Sequence, residues 1–139
     1  MTERFEELAA LPAGWAIGLF DAPVGDEDEG IADLEGAVLS RAFLGQVEAQ
    51  LHRMLPLLKH GMPYVFATVE GGVELMWRMD EVSILLRIHP QFMVLGTHIH
   101  ANLGTVIRTT WTNFNQNLAQ ITAWVNDPYA IQNVDDNVP

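Results

Sequence analysis

Residues 63–90 read PYVFATVEGGVELMWRMDEVSILLRIHP, and this stretch decides the fold. Apolar and polar residues alternate with a period of two, which is the side-chain spacing of a half-buried strand. Val73, Leu75 and Trp77 fall on one face of a strand, opposite Glu74 and Arg78. In the next run Val82, Ile84, Leu86 and Ile88 share a face opposite Ser83 and Arg87. Tyr64 to Val69 is apolar on both sides and reads as a strand preceding these two. Glu70-Gly71-Gly72 and Met79-Asp80-Glu81 have tight-turn chemistry, so the three strands are expected to be consecutive and antiparallel.

Downstream, Phe92 to His100 reads as a fourth strand, with Met93, Leu95 and Ile99 on one face and Phe92, Val94, His98 and His100 on the other. Ala101 to Gly104 turns the chain into a fifth strand over Thr105 to Thr110, where β-branched residues dominate. A last helix is expected from Thr112 to Val125, with Phe114, Leu118, Ile121 and Val125 at helical spacing, Trp111 and Trp124 flanking them, and Asp127-Pro128 as the stop. Upstream, Ser40 is a good N-cap for a helix starting at Arg41. Leu44, Val47, Leu51, Met54, Leu55 and Leu58 form its apolar stripe, Gly61 is the expected stop, and Pro56 should loosen the helix beyond Leu55. Residues 3–10 make a short helix capped by Thr2.

The fold class that follows is α+β: an antiparallel meander sheet of four to five strands packed against two main helices (about 41–58 and 112–126) as a two-layer sandwich. Residues 1–139 read as one domain, with an acidic loop at 25–36 and a frayed tail at 128–139. Val65 or Tyr64, Met76, Leu85 and Val94 make the sheet face away from the main apolar rows partly hydrophobic as well. A two-layer domain normally leaves that face polar, so a homodimer or a hetero-complex is expected to cover it.

Charge is the strongest global signal. Eighteen acids face seven Lys and Arg, for a formal net charge of −11. Asp26, Glu27, Asp28, Glu29, Asp33 and Glu35 form the densest run, and Arg4 is the one cation in the first 35 residues. Such a surface repels phosphate backbones, which argues against direct nucleic-acid binding, and it attracts a basic protein. Solubility alone is the plainer reading of the same run. No apolar run approaches the roughly 18 residues that span a bilayer, and the acidic N-terminus is unlike a signal peptide, so a cytoplasmic protein with no membrane partner is expected. With no cysteine, the chain has no disulfide, thiolate metal site or cysteine nucleophile.

The segments PAGW (12–15), DAPV (21–24), LHRMLP (51–56) and the P-x₄-T-V-E-G-G-V-E-L-M-W run from Pro63 to Trp77 occur in an order that resembles a group of small uncharacterised prokaryotic proteins. Those proteins have a Gly-Trp element, an amphipathic helix ending in Leu-Pro and a Gly-Gly hairpin, and some accompany toxins or mobile-element genes. The resemblance implies a partner-binding role. Here Ala67 stands where the pattern has a proline, Met76 replaces an acid before Trp77, and the acidic loop is an insertion.

The sharpest chemical motif is His98-Ile99-His100. Residues i and i+2 of a strand share a face, so both imidazoles could reach one divalent transition metal, with His89, Asp80 or Glu81 as further ligands. Two surface histidines are the plainer reading. Glu70 and Glu74 flank the glycine turn as paired carboxylates without a visible enclosure. Trp15, in an irregular segment, either staples the N-terminal arm to the sheet or anchors a partner. No nucleophile and base, phosphate loop or other catalytic constellation is visible. The first expectation is therefore a non-enzymatic acidic protein-interaction module: an antitoxin-, immunity- or inhibitor-like partner of a basic protein. It would use Asp26, Glu27, Asp28, Glu29, Asp33, Glu35 and Trp15. The alternatives are a metal-binding protein or metal-dependent enzyme using His98 and His100, and an acidic nucleic-acid mimic.

Overall fold

The structure, a computed structural model, describes residues 1–15 and 36–129. Five strands run in chain order as an antiparallel meander: β1 (Tyr64–Ala67), β2 (Val73–Arg78), β3 (Val82–Ile88), β4 (Val94–His100) and β5 (Thr105–Trp111). Among the described residues three helices accompany them: α1 (Glu3–Ala9), α2 (Arg41–Met54) and α3 (Leu118–Asn126). The class expected from the alternation, an α+β chain built on a meander sheet, is the one observed.

The register explains the core. Leu75 lies opposite Leu86, which lies opposite Gly96; Trp77 lies opposite Ile84, which lies opposite His98; Val73 lies opposite Ile88, which lies opposite Val94. These rows face one side of the sheet, and most of their side chains are fully buried. They form one hydrophobic cluster with Phe5 and Leu8 of α1, Leu44, Val47, Leu51 and Met54 of α2, and Ile121, Trp124 and Val125 of α3. Each such aliphatic or aromatic side chain stabilises the fold by about 1.5–3 kcal/mol relative to an exposed one.

Local chemistry sets the element ends. Ser40 caps α2 as expected, its Oγ accepting from the Phe43 N–H at 3.3 Å. The helix stops at Met54, and Pro56 turns the next residues into a single 3-10 turn, Leu55–Leu57. Proline, rather than the later Gly61, is thus the terminator. Thr2 holds the N-cap position of α1 but makes no side-chain cap bond. Its hydroxyl and N–H donate to Glu48 Oε2 on α2 at 2.6 and 2.8 Å. Burial works to raise the Glu48 pKa, yet these two bonds and the N-terminal ammonium hold it below 4.5.

The last helix begins at Leu118, six residues after the expected Thr112. The strand pairing reaches Trp111, and the Asn113 side chain then takes the Gln116 N–H at 3.0 Å while the Asn117 side chain takes the Asn113 N–H at 3.3 Å. These amide bonds compete with helical ones and delay the start.

The hairpin Glu70-Gly71-Gly72 needs both glycines: Gly71 has φ +91°, and a Cβ on Gly72 would collide with the Ile88 carbonyl oxygen. The connection between β3 and β4 is tighter than its sequence suggests. The His89 N–H donates to the Met93 carbonyl, and Phe92 sits at φ +72°, rare for a bulky residue. Its ring against Phe43, with centroids 5.3 Å apart, and the Phe114 N–H on its carbonyl hold it there.

Candidate partner-binding surface

The alternation that buries one face of the sheet leaves Tyr64, Phe66, Met76, Leu85, Leu95, Ile99 and Val106 on the other, set among Glu74, Arg78, Ser83, Arg87, Thr97 and Arg108. Tyr64 is 63% exposed, Val106 50% and Phe66 38%, while Met76, Leu85, Leu95 and Ile99 are half-buried among their own neighbours. Of the described helices, α1 contributes residues to the hollows on this side. The partly hydrophobic far face is therefore present, with one change of membership. Val94 pairs with Ile88 and is buried on the covered face, whereas Leu95 and Ile99 stand on the open one. Gly96 is the reason. It leaves room on the covered side for the Trp111 and Trp124 rings, which pack edge to face at 5.5 Å and would be 2.9 Å from a Cβ there.

Toward β1 the open face deepens into a groove of about 770 Å³ between the sheet and the N-terminal arm, lined by Arg4, Leu8, Leu11, Trp15, Phe66 and Glu74 among others. Arg4 reaches over the Phe66 ring at 6.0 Å and donates from Nε to the Val65 carbonyl at 2.8 Å. Arg87 meets Glu74 at 3.4 Å. A second hollow of about 340 Å³ continues past Arg87 to Met93, Leu95 and Thr110. The result is an apolar floor with paired charges along its side, suited to receiving side chains from another molecule.

Trp15 is both staple and lining. Its indole N–H donates to the Ala37 carbonyl at 2.9 Å, beside a Gly14 N–H to Gly36 carbonyl bond of 2.8 Å, while its ring borders the groove. Asp26, Glu27, Asp28, Glu29, Asp33 and Glu35 lie outside the described residues, as does the tail from 130 onward. The chain leaves the described structure at Trp15, which lines this groove, and re-enters it at Gly36, whose carbonyl accepts the Gly14 N–H.

His98 and His100 do share a face, but it is the covered one. His98 is 3% exposed, with its ring edge-on to Tyr129 at 4.9 Å and no hydrogen-bond partner for Nδ1. It is not a surface histidine. Burial first, and then the neighbouring His100, hold its pKa below the ordinary 6.5. His100 accepts the Leu103 N–H on Nδ1 at 3.3 Å and lies 3.8 Å from Glu81 Oε2. His89 is at the other end of the β3–β4 ladder, beside Met93, and cannot join them. Among the described residues no three His, Cys, Asp or Glu come together to hold a metal ion. Glu70 and Glu74 stand at the exposed rim of the groove, Glu74 occupied by Arg87. No described helix is long and apolar enough to cross a membrane.

The apolar open row was legible as a face, and the groove was not, because it is made by α1 folding back onto β1 across some 60 residues of sequence. Compared with protein-family models, curated proteins and solved structures, the chain gives no match.

Proposed function

We propose that this chain is a non-enzymatic protein-interaction module, an antitoxin-, immunity- or inhibitor-like partner of a basic protein, which holds its target on the open face of the sheet. The observation that supports this reading is the open face, where Tyr64, Met76 and Leu85 adjoin across three strands and Phe66, Leu95, Ile99 and Val106 stand among Glu74, Arg78, Ser83 and Arg87, continued by the groove at Trp15. Partly exposed apolar residues ringed by charged ones are the composition of an association site. The net charge of −11 selects the partner class, since a field of one sign accelerates encounter with the opposite sign. Charge then acts at a distance and apolar contact acts on arrival.

The two roles separate kinetically. A target is captured from the source cell at low salt, identified and purified, and its binding is followed as a function of ionic strength. Replacing Asp26, Glu27, Asp28 and Glu29 by Ser should slow association and flatten its salt dependence. Replacing Phe66 and Leu85 by Ser should speed dissociation. Association that is indifferent to salt and to the four acids, with dissociation indifferent to the face, would sink the proposal.

A further inference from the structure

The two edges of the sheet are finished differently. The β1 edge is short, at four residues, and Arg4 of α1 donates to its Val65 carbonyl. The β5 edge is seven residues long, Thr105 to Trp111, and its sheet neighbour is β4 alone. Among the described residues no hydrogen bond other than the β4 ladder engages any β5 residue, so its outward N–H and C=O groups are unpaired.

Natural sheets protect such an edge with proline, a bulge, several charges or a covering segment. β5 has none of these in the described structure. Its register with β4 is one-to-one from Trp111 opposite Val94 to Thr105 opposite His100, which leaves no bulge. Its sequence, TVIRTTW, is β-branched at five positions and holds one charge, Arg108, with no ion-pair partner among the described residues. The charge map points to the same place. All eighteen acids lie outside residues 82–126, the span that makes β3, β4, β5 and α3. The bare edge therefore belongs to the acid-free stretch of a strongly acidic chain.

We infer that the chain forms a two-fold dimer in which β5 pairs antiparallel with β5 of a second copy, joining two five-stranded sheets into one of ten. Three observations select a second copy as the occupant. Because β1 is only four residues long and Arg4 already occupies its Val65 carbonyl, it is a poor acceptor for the seven-residue β5; this favours isologous pairing, which stops at two. Because residues 82–126 contain no acid, β5 and the strands beside it set no carboxylate against a carboxylate at the contact. A register centred on Ile107 or Thr109 also sets each Arg108 against Val106 or Thr110 of the other copy, avoiding the like-charge pair that centring on Arg108 would create. The inference stands on the edge alone and does not require the partner reading of the open face.

Sedimentation equilibrium of the full chain tests it, with a mass of twice 15.5 kDa expected. Val106 and Thr110 are exposed, so the Val106→Lys, Thr110→Lys double variant should keep the far-UV spectrum and melting curve while halving the mass. Leu85→Lys, in the middle of the open face, should remain dimeric. A mass of 15.5 kDa throughout the concentration series overturns the inference, as does a dimer that survives the edge lysines and dissociates with Leu85→Lys. Should the double variant fail to fold, the cysteine-free chain offers a second route. A nitroxide on Thr110→Cys should report a short distance between copies; the absence of any inter-copy distance overturns β5 pairing.

Discussion

Leu85 and Leu86 are consecutive residues of one strand with opposite surroundings. Leu86 is fully buried between Leu75 and Gly96, while Leu85 lies half-covered between Met76 and Thr97. The same division runs across all five strands, so the covered and open faces of this sheet are made by alternate residues of the same segments. The covered face is where stability resides. The open face mixes apolar residues with Glu74, Arg78, Ser83 and Arg87, and its side chains are only partly covered. A residue's role here follows from its parity in the strand more than from its type.

The sharpest way to break that comparison is to truncate the neighbours. Leu86→Ala should cost about 2–5 kcal/mol in urea unfolding, as expected for a cavity in a closed core. Leu85→Ala should cost less than about 1 kcal/mol, since only part of its surface is covered. Equal losses would mean that the open face is covered by something in the free protein. Next in size is the pair at β4. Gly96→Ala forces a methyl against Trp111 and Trp124 and should destabilise by about 1–3 kcal/mol, whereas Thr97→Ala, one residue along on the open face, should stay within about 0.5 kcal/mol.

A third prediction separates the faces by pH. His98 has its pKa lowered by burial, so the unfolded chain takes up a proton more readily than the folded one. Stability is therefore fully present above 6.5 and declines as pH falls from there through the lowered folded value. Glu48, also lowered, adds its own loss only below 4.5. His98→Leu should flatten the upper of these two limbs and leave the lower one intact, measured as unfolding free energy across a pH series. The smallest effect belongs to Tyr64→Ser. At 63% exposure it should shift stability by no more than about 0.5 kcal/mol, and its consequence should appear in partner dissociation.

The covered rows of β2 and β3 were legible because their alternation is strict and their polar faces carry Glu74, Arg78, Ser83 and Arg87. β4 was harder. Both its rows contain apolar residues, and counting favours Leu95 and Ile99 over a row that includes Gly96 and two histidines. The decisive factor is tertiary: two tryptophans, one from β5 and one from α3, fill the space above Gly96, and Tyr129 packs on His98. The connecting turn held the clue, since a hairpin that pairs Ile88 with Val94 puts Val94 on the side of Ile88. The start of α3 was misread for a local reason, because the Asn-rich run after Trp111 bonds to its own backbone. Of the candidate site, Trp15 was visible as a choice between two roles and turns out to combine a staple with groove lining. The groove itself depends on Arg4 meeting Val65, a contact that no short-range pattern encodes.

The clasp between Gly14 and Gly36 gives the chain a property useful to an engineer. Its two ends are a hydrogen bond apart, 2.8 Å, with Trp15 locked to Ala37 alongside. A short turn therefore suffices to reconnect the chain if residues 16–35 are excised. Foreign sequence can also be spliced in at modest entropic expense, because closing a longer loop costs only about 0.6 kcal/mol per doubling of its length. Acidic content between the two ends can thereby be removed, multiplied or inverted in sign while the sequence of the described sheet stays unchanged.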